Sequence, residues 1–257
     1  MTAARAKPKV DLDTTRAQLE QVGLGHAAER LTELLEEAVK QDLPSHRVLD
    51  QLLAAETSER EMRRIKTSLR LSGLPVGQTL GDFDFAFQPT VEKSRIETLA
   101  TCAWIREHAT VLIQGPPGVG KTHLGIALGV KAVENGFSVA FYRFDDLLHL
   151  MKQDAETPPQ RLRRKKYNNV ALLVVDELGF QPLSRVEASL FFRLVSYRYQ
   201  RGATLITTNK SVKDWPEILA GDEAMAAALL DRLLHRCHVL NIRGRSYRLR
   251  DLERMLK

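Results

Sequence analysis

Apolar residues recur with a helical period over the first seventy positions and in short unbroken runs after position 110. Leu24, Ala27, Ala28, Leu31, Leu34, Leu35 and Ala38 fall on one helix face. Pro44 and Ser45 open a second helix, with Val48, Leu49, Leu52 and Leu53 expected inward. Ser58 and Glu61 have capping-box spacing and predict the start of a third. On it Met62, Ile65 and Leu69 form an apolar stripe, and Arg63, Lys66 and Arg70 a basic one with Arg60 and Arg64 beside it. Gly73, Pro75, Gly77, Gly81 and Pro89 mark a linker that also carries Phe83, Phe85 and Phe87. Beyond it strands and helices alternate. Strands are expected at Val111–Gln114, Ser138–Tyr142, Val170–Val175, Ala203–Thr208 and Val239–Ile242. That alternation predicts right-handed crossovers and a parallel sheet covered on both faces. The expected organisation is a helical domain over 1–75 and an α/β domain over 76–257.

Composition changes this picture mainly by exclusion. The 257 residues are 44% hydrophobic and 27% charged, a globular composition. Cys102 and Cys237 stand far apart, with no metal spacing and no disulfide framework, which fits a reducing compartment. Met1 to Asp13 lacks the apolar stretch of a signal peptide, and no apolar run nears the roughly 18 residues of a membrane span. A cytoplasmic protein with no membrane partner is expected. The 38 basic residues exceed the 32 acidic ones by six, a modest excess that permits a nucleic-acid partner without requiring one.

The candidate chemistry begins at Gly115-Pro116-Pro117-Gly118-Val119-Gly120-Lys121-Thr122, which fits G-x-x-x-x-G-K-[ST] between an apolar strand and a helix. Such a loop turns backbone N–H groups onto a polyphosphate, and the helix behind it adds a positive N-terminal end. Lys121 supplies a charge for the β- and γ-phosphates, Thr122 a hydroxyl for Mg²⁺, and the adjacent His123 is counted with the loop. The run Ala171–Val175 ends in Asp176 and Glu177. Asp176 is expected to help hold Mg²⁺ and Glu177 to orient or deprotonate the attacking water, so ATP and Mg²⁺ are the expected cofactors. Leu205–Asn209 is a second apolar run with a polar end, which places Asn209 near the γ-phosphate or the water.

These segments, together with LLVVDELG over Leu172–Gly179, TTNK over Thr207–Lys210, Trp215, DRLLH over Asp231–His235 and GRSYR over Gly244–Arg248, resemble the IstB-like ATP-binding proteins. These are AAA+ ATPases of bacterial insertion sequences related to the helicase loader DnaC and the initiator DnaA. The segment Thr79–Phe85 resembles that family's entry segment, and the likeness covers roughly residues 20–250. The resemblance implies an AAA+ five-stranded parallel sheet without a full C-terminal lid. It implies that Asn209 is the sensor-1 residue and Arg232 an arginine finger reaching a neighbouring subunit. Arg248 takes the sensor-2 position, and Phe83 and Phe85 lie near adenine.

Arg161, Arg163, Arg164, Lys165 and Lys166 crowd the segment before the third strand, where initiator-type relatives face DNA. With Arg63, Lys66 and Arg70 they are the candidate DNA contacts, of a kind that gives salt-dependent affinity and little base reading. The function expected is an ATP-dependent transposition helper that self-assembles on duplex DNA as a ring or filament and engages a cognate transposase. A DnaC-like helicase loader is the alternative. A small-molecule kinase is disfavoured by the Asp176–Glu177 pair, and a non-catalytic scaffold is distinguished by the absence of phosphate release.

Overall fold

A computed structural model of the chain describes residues 12–250 and residue 256; most of the segment Met1 to Asp13 lies outside the described residues. Two compact units divide at Thr67 and Ser68. The first contains α1 (Leu12–Gln21), α2 (Gly25–Gln41) and most of α3 (Ser45–Ser72). Ala27, Ala28, Leu31 and Leu34 of α2 are buried, as their period predicts, and Leu52 of α3 joins their cluster. Two expectations are corrected. No helix starts at Ser58: α3 runs unbroken, because nothing between Ser45 and Ser72 removes an N–H or supplies a glycine. Thr57 turns its hydroxyl back onto the Leu53 and Ala54 carbonyls inside that helix. Leu49 and Leu53 point outward and are 59% and 50% exposed. Glu56 is buried instead and accepts from the Ala27 N–H at 3.0 Å.

The second unit holds the sheet. Its strands are β1 (Thr110–Gln114), β2 (Val139–Arg143), β3 (Leu172–Leu178), β4 (Ala203–Thr208) and β5 (Cys237–Asn241). All pair in parallel in the order β2-β3-β4-β1-β5. Ahead of β1 come α4 (Lys93–Ala100) and α5 (Ala103–Arg106), and between the strands run α6 (Lys121–Glu134), α7 (Phe144–Gln153), α8 (Pro159–Leu162), α9 (Lys166–Asn169), α10 (Arg185–Arg198), α11 (Trp215–Ile218) and α12 (Glu223–Leu234). Alternation sorts the strand side chains onto two faces. Leu112, Leu173, Val175 and Ile206 join the cluster built with α7, α10 and α12. The opposite face meets α6, where Gly125 lets the helix close on Leu205 and Thr207; a Cβ there would stand 3.1 Å from Leu205. The five expected strands and the α/β AAA+ architecture are observed. Among the described residues, no helix is long and apolar enough to cross a membrane.

The linker carries more structure than a spacer. Phe83 is 6% and Gln88 0% exposed. Gln88 donates to the Arg245 carbonyl at 2.6 Å, and Thr90 exchanges two hydrogen bonds with the Arg243 backbone.

Arg198, at the end of α10, is 2% exposed. Its guanidinium donates to the carbonyls of Tyr167, Asn168, Val170 and Ala203, tying the entry to β3 to the start of β4. Burial pushes its pKa down to about 10, so it stays charged at neutral pH. Arg198→Met removes these donated hydrogen bonds from a largely buried site. A loss of about 2–4 kcal/mol from the urea unfolding transition is expected, because each buried orphan acceptor costs roughly 1–3 kcal/mol; an unchanged transition would overturn this account.

Candidate functional site

The parallel order puts the C-terminal ends of β1, β3 and β4 side by side, where loops of an open α/β sheet gather ligands. β1 runs into the glycine loop and the loop into α6. Two of its glycines are required by the backbone. Gly118 has φ +80° and lies against Ser246, and Gly120 has φ +96° and lies against Phe83; a Cβ would come within 2.1 Å and 2.7 Å of those neighbours. The Gly118 carbonyl accepts from the Tyr247 N–H at 2.9 Å, so the C-terminal segment is bonded to the loop itself. Lys121 donates to the Pro116 carbonyl at 2.8 Å. Burial holds its pKa below the usual lysine value.

Asp176 is 4% exposed. The Thr122 hydroxyl donates to its carboxylate at 2.9 Å, and the Thr207 hydroxyl donates to Oδ1 at 2.5 Å. Burial pushes its pKa above the ordinary aspartate value despite both bonds. The same Thr207 oxygen accepts from the Glu177 N–H at 2.9 Å. Glu177 has φ +61°, unusual for a residue with a side chain, and the register of β3 against β4 shifts between Val175 and Leu178. This bulge turns Glu177 out of the strand's alternation, where its carboxylate pairs with Arg143 at 2.8 Å.

Lys121, Thr122, Glu177, Asn209 and Arg248 line one cavity of about 430 Å³, together with His123, Phe83 and Tyr247. Phe83 meets His123 and Tyr247 edge to face at 5.6 and 5.9 Å. Phe85 packs behind Phe83 at 4.9 Å and does not line the cavity. Arg232 stands outside it: its guanidinium lies over the Phe192 ring at 4.9 Å and donates to the Ala228 carbonyl.

Several of these residues carried no assignment from sequence. Thr207 lay inside a motif, but only the register of β4 beside β3 shows that its hydroxyl serves both acids. Arg143 ends β2 opposite Asp176, a position set by strand order. Tyr247 and Arg250 belong to the GRSYR neighbourhood. Arg250 pairs with Asp84 at 3.0 Å and lies over Phe87 at 4.4 Å, and Tyr247 donates to the Asp84 carbonyl.

The donor set fits Mg²⁺. One buried carboxylate and one hydroxyl face the loop, and the carboxylate has no Lys or Arg nitrogen in ion-pair range among the described residues. Nor do the described residues contain a cluster of three or more His, Cys, Asp or Glu. Mg²⁺ is commonly held in this way, by one or two carboxylates with nucleotide phosphates and water rather than by an all-protein cage.

The basic candidates differ in what they are free to do. Lys165 pairs with Asp154 at 2.6 Å, and Lys166 donates to the Leu71 carbonyl. Arg161, Arg163 and Arg164 are exposed and make no ion pair among the described residues. Arg63 is exposed and paired with Glu59 at 2.7 Å, while Lys66 and Arg70 are exposed on α3.

Comparison with known proteins places the chain among relatives. The family model described as "IstB-like ATP binding protein" matches residues 17–254. The chain is 42% identical to an ATP-binding protein of insertion sequence IS21 from Pseudomonas aeruginosa, over 91% of this chain and 88% of that one. It is 36% identical to an ATP-binding protein of insertion sequence IS5376 from Geobacillus stearothermophilus, over 87% and 89%. The crystal structure of the DnaC helicase loader is similar at TM-score 0.50 and 25% identity, over 58% of this chain and 87% of that one. AMPPCP-bound DnaA from Aquifex aeolicus shares the fold at TM-score 0.55 and 18% identity, over 72% and 56%.

Asp176→Asn keeps the shape and removes a charge that the fold holds out of water. The nucleotide-free protein is expected to unfold at a higher temperature, while the gain in ATP affinity on adding Mg²⁺ falls at least about tenfold. Calorimetry with and without Mg²⁺ reads both; a destabilised variant with full Mg²⁺ dependence contradicts the reading.

Proposed function

The chain belongs to the IstB-like ATP-binding family, ATPases associated with insertion sequences, and on that premise we propose that it is an ATP-dependent helper of DNA transposition. It assembles on duplex DNA when ATP is bound, as a ring or filament of identical subunits, and engages the cognate transposase. The observation that carries this reading is the separation of two arginines. Arg248 lines the cavity of its own subunit and Arg232 does not. An arginine outside its own site supports service to a neighbour's, which would make turnover depend on assembly.

In this mechanism the loop backbone and Lys121 hold the phosphates, and Phe83 and Tyr247 wall the base. Bound Mg²⁺ supplies charge neutralisation at the β- and γ-phosphates. Thr122 and Asp176 are the residues that would hold it. Glu177 accepts a proton from the attacking water at its carboxylate, and Asn209 orients that water. For this the Arg143–Glu177 pair must open, so Arg143 restrains the base until the site is complete. Arg248 neutralises charge from within the subunit, and Arg232 from the next one. Hydrolysis releases or remodels the assembly.

Arg161, Arg163 and Arg164 are the principal DNA contacts in this reading, since Lys165 and Lys166 already have partners. The α3 residues Arg63, Lys66 and Arg70 serve DNA or the transposase. A DnaC-like helicase loader is the second reading, favoured by the structural likeness to DnaC. Retention of a replicative helicase rather than a transposase on the N-terminal module decides for it.

Two outcomes are expected. Duplex DNA sediments with the protein at least about tenfold more tightly in ATP than without nucleotide, and Lys121→Ala removes the difference. The log–log salt slope falls by about 0.9 for each of Arg161, Arg163 and Arg164 changed to alanine; equal binding in every nucleotide state rules out the ATP switch. Secondly, Arg232→Ala and Glu177→Gln each lose about a hundredfold or more in turnover. Mixing them restores part of it, because one subunit brings the base and its neighbour the arginine. If the mixture stays inactive although it assembles, or if Arg232→Ala monomers lose ATP binding, the action across subunits is wrong.

A further inference from the structure

The lining of the nucleotide cavity contains two neutral carboxamides, Asn209 and Gln78. Asn209 follows β4 at the catalytic end. Gln78 belongs to the linker over residues 73–89, a strap before the glycine loop, and adjoins Thr79, whose carbonyl lies 2.7 Å from the His123 ring nitrogen. It therefore stands beside Phe83, His123 and Tyr247, where a flat base is walled by rings. The acidic groups of the strap are already engaged. Asp82 accepts from the Thr79 hydroxyl at 2.6 Å and from its N–H at 3.1 Å, and Asp84 pairs with Arg250. Gln78 differs: its Oε1 is shielded from water and accepts no hydrogen bond. A buried carbonyl without a donor is costly, and such a group next to a ligand cavity asks for a partner from the ligand.

We propose that Gln78 is a specificity-determining residue that reads the adenine of ATP: its Oε1 accepts from the exocyclic amino group and its Nε2 donates to the neighbouring ring nitrogen. This is the pairing by which a carboxamide recognises adenine in nucleic acids. Guanine presents a carbonyl where adenine has the amino group, so two acceptors then face each other. A base lacking the amino group leaves Oε1 as unsatisfied as it is without ligand. The inference rests on the cavity being the nucleotide site, and the two fail in different ways.

The full chain is titrated calorimetrically with ATP, GTP and purine riboside triphosphate, which lacks the amino group, all with Mg²⁺. The parent is expected to bind purine riboside triphosphate and GTP about tenfold or more weakly than ATP, the size of discrimination a bidentate pair supplies. Gln78→Ala weakens ATP to the level of purine riboside triphosphate and leaves the latter unchanged, with a nucleotide-free unfolding temperature no lower than the parent's. A parent that binds ATP and purine riboside triphosphate equally overturns the proposal without any variant. A Gln78→Ala protein that keeps the full preference for ATP also overturns it, and assigns base reading to another group. Lys121→Ala is expected to weaken all three triphosphates alike. If it binds them undiminished, the cavity is not the nucleotide site and the inference falls with that reading, an outcome separate from failure in the base comparison.

Discussion

Asp176 sits 4% exposed near the end of β3, and among the described residues no Lys or Arg nitrogen forms an ion pair with it. A carboxylate in that position loses hydration that two hydroxyl bonds only partly replace. Much of the catalytic end follows from keeping it there. Thr122 must begin α6 so that its hydroxyl reaches Asp176, which fixes where the glycine loop closes. Thr207 must end β4 beside β3, which fixes the register of the central strands. Because Thr207 also accepts from the Glu177 N–H, the bond that steadies the buried anion also holds the left-handed turn of the next residue. In the proposed function a phosphate-bound cation would bring positive charge to Asp176. On that reading ligand binding and folding would be linked at this residue.

A second constraint acts from outside the sheet. Residues 243–250 and the strap over 84–90 are stitched together by Gln88, Thr90, Tyr247 and the Arg250–Asp84 pair. Tyr247 is bonded to the Gly118 carbonyl, and Ser246 occupies the space beside Gly118 that a side chain would need. The segment therefore shapes the phosphate loop and the aromatic wall together. Arg248, two residues before the Arg250 anchor, lies on this segment and lines the same cavity. This short segment joins the lining of the cavity to the Arg250–Asp84 pair.

The sheet, its five strands and the phosphate loop were legible because they are local. A buried parallel strand is an apolar run, and the loop is a contiguous motif whose residues are dictated by backbone geometry. What escaped was set by pairing between distant segments. Arg143 faces Glu177 only because β2 lies beside β3, and nothing near position 143 announces that. Ser58 and Glu61 satisfied a capping rule, yet α3 passes through them because no residue stops the ladder of hydrogen bonds. Leu49 and Leu53 had the right spacing for a core face, but only a partner element can make a face a core. The strap was read as a linker from its glycines and prolines, whereas Phe83 and Gln88 are buried by a segment more than 150 positions away.

The arginines divide by what surrounds them, and the division bears on function more than net charge does. Arg198 is consumed by four carbonyls and serves the fold. Arg143 is paired with Glu177, the base of the proposed mechanism. Arg232 rests on Phe192 and the Ala228 carbonyl and has no carboxylate partner among the described residues. A guanidinium held on a ring is pre-organised yet not neutralised, and delivery to a phosphate then costs little beyond breaking that contact. Arg161, Arg163 and Arg164 are exposed and make no ion pair among the described residues. The modest excess of six positive charges thus conceals a graded set of arginines. Those bound tightly inside maintain geometry, and those held loosely or not at all are the ones with free energy left to gain from an anionic partner.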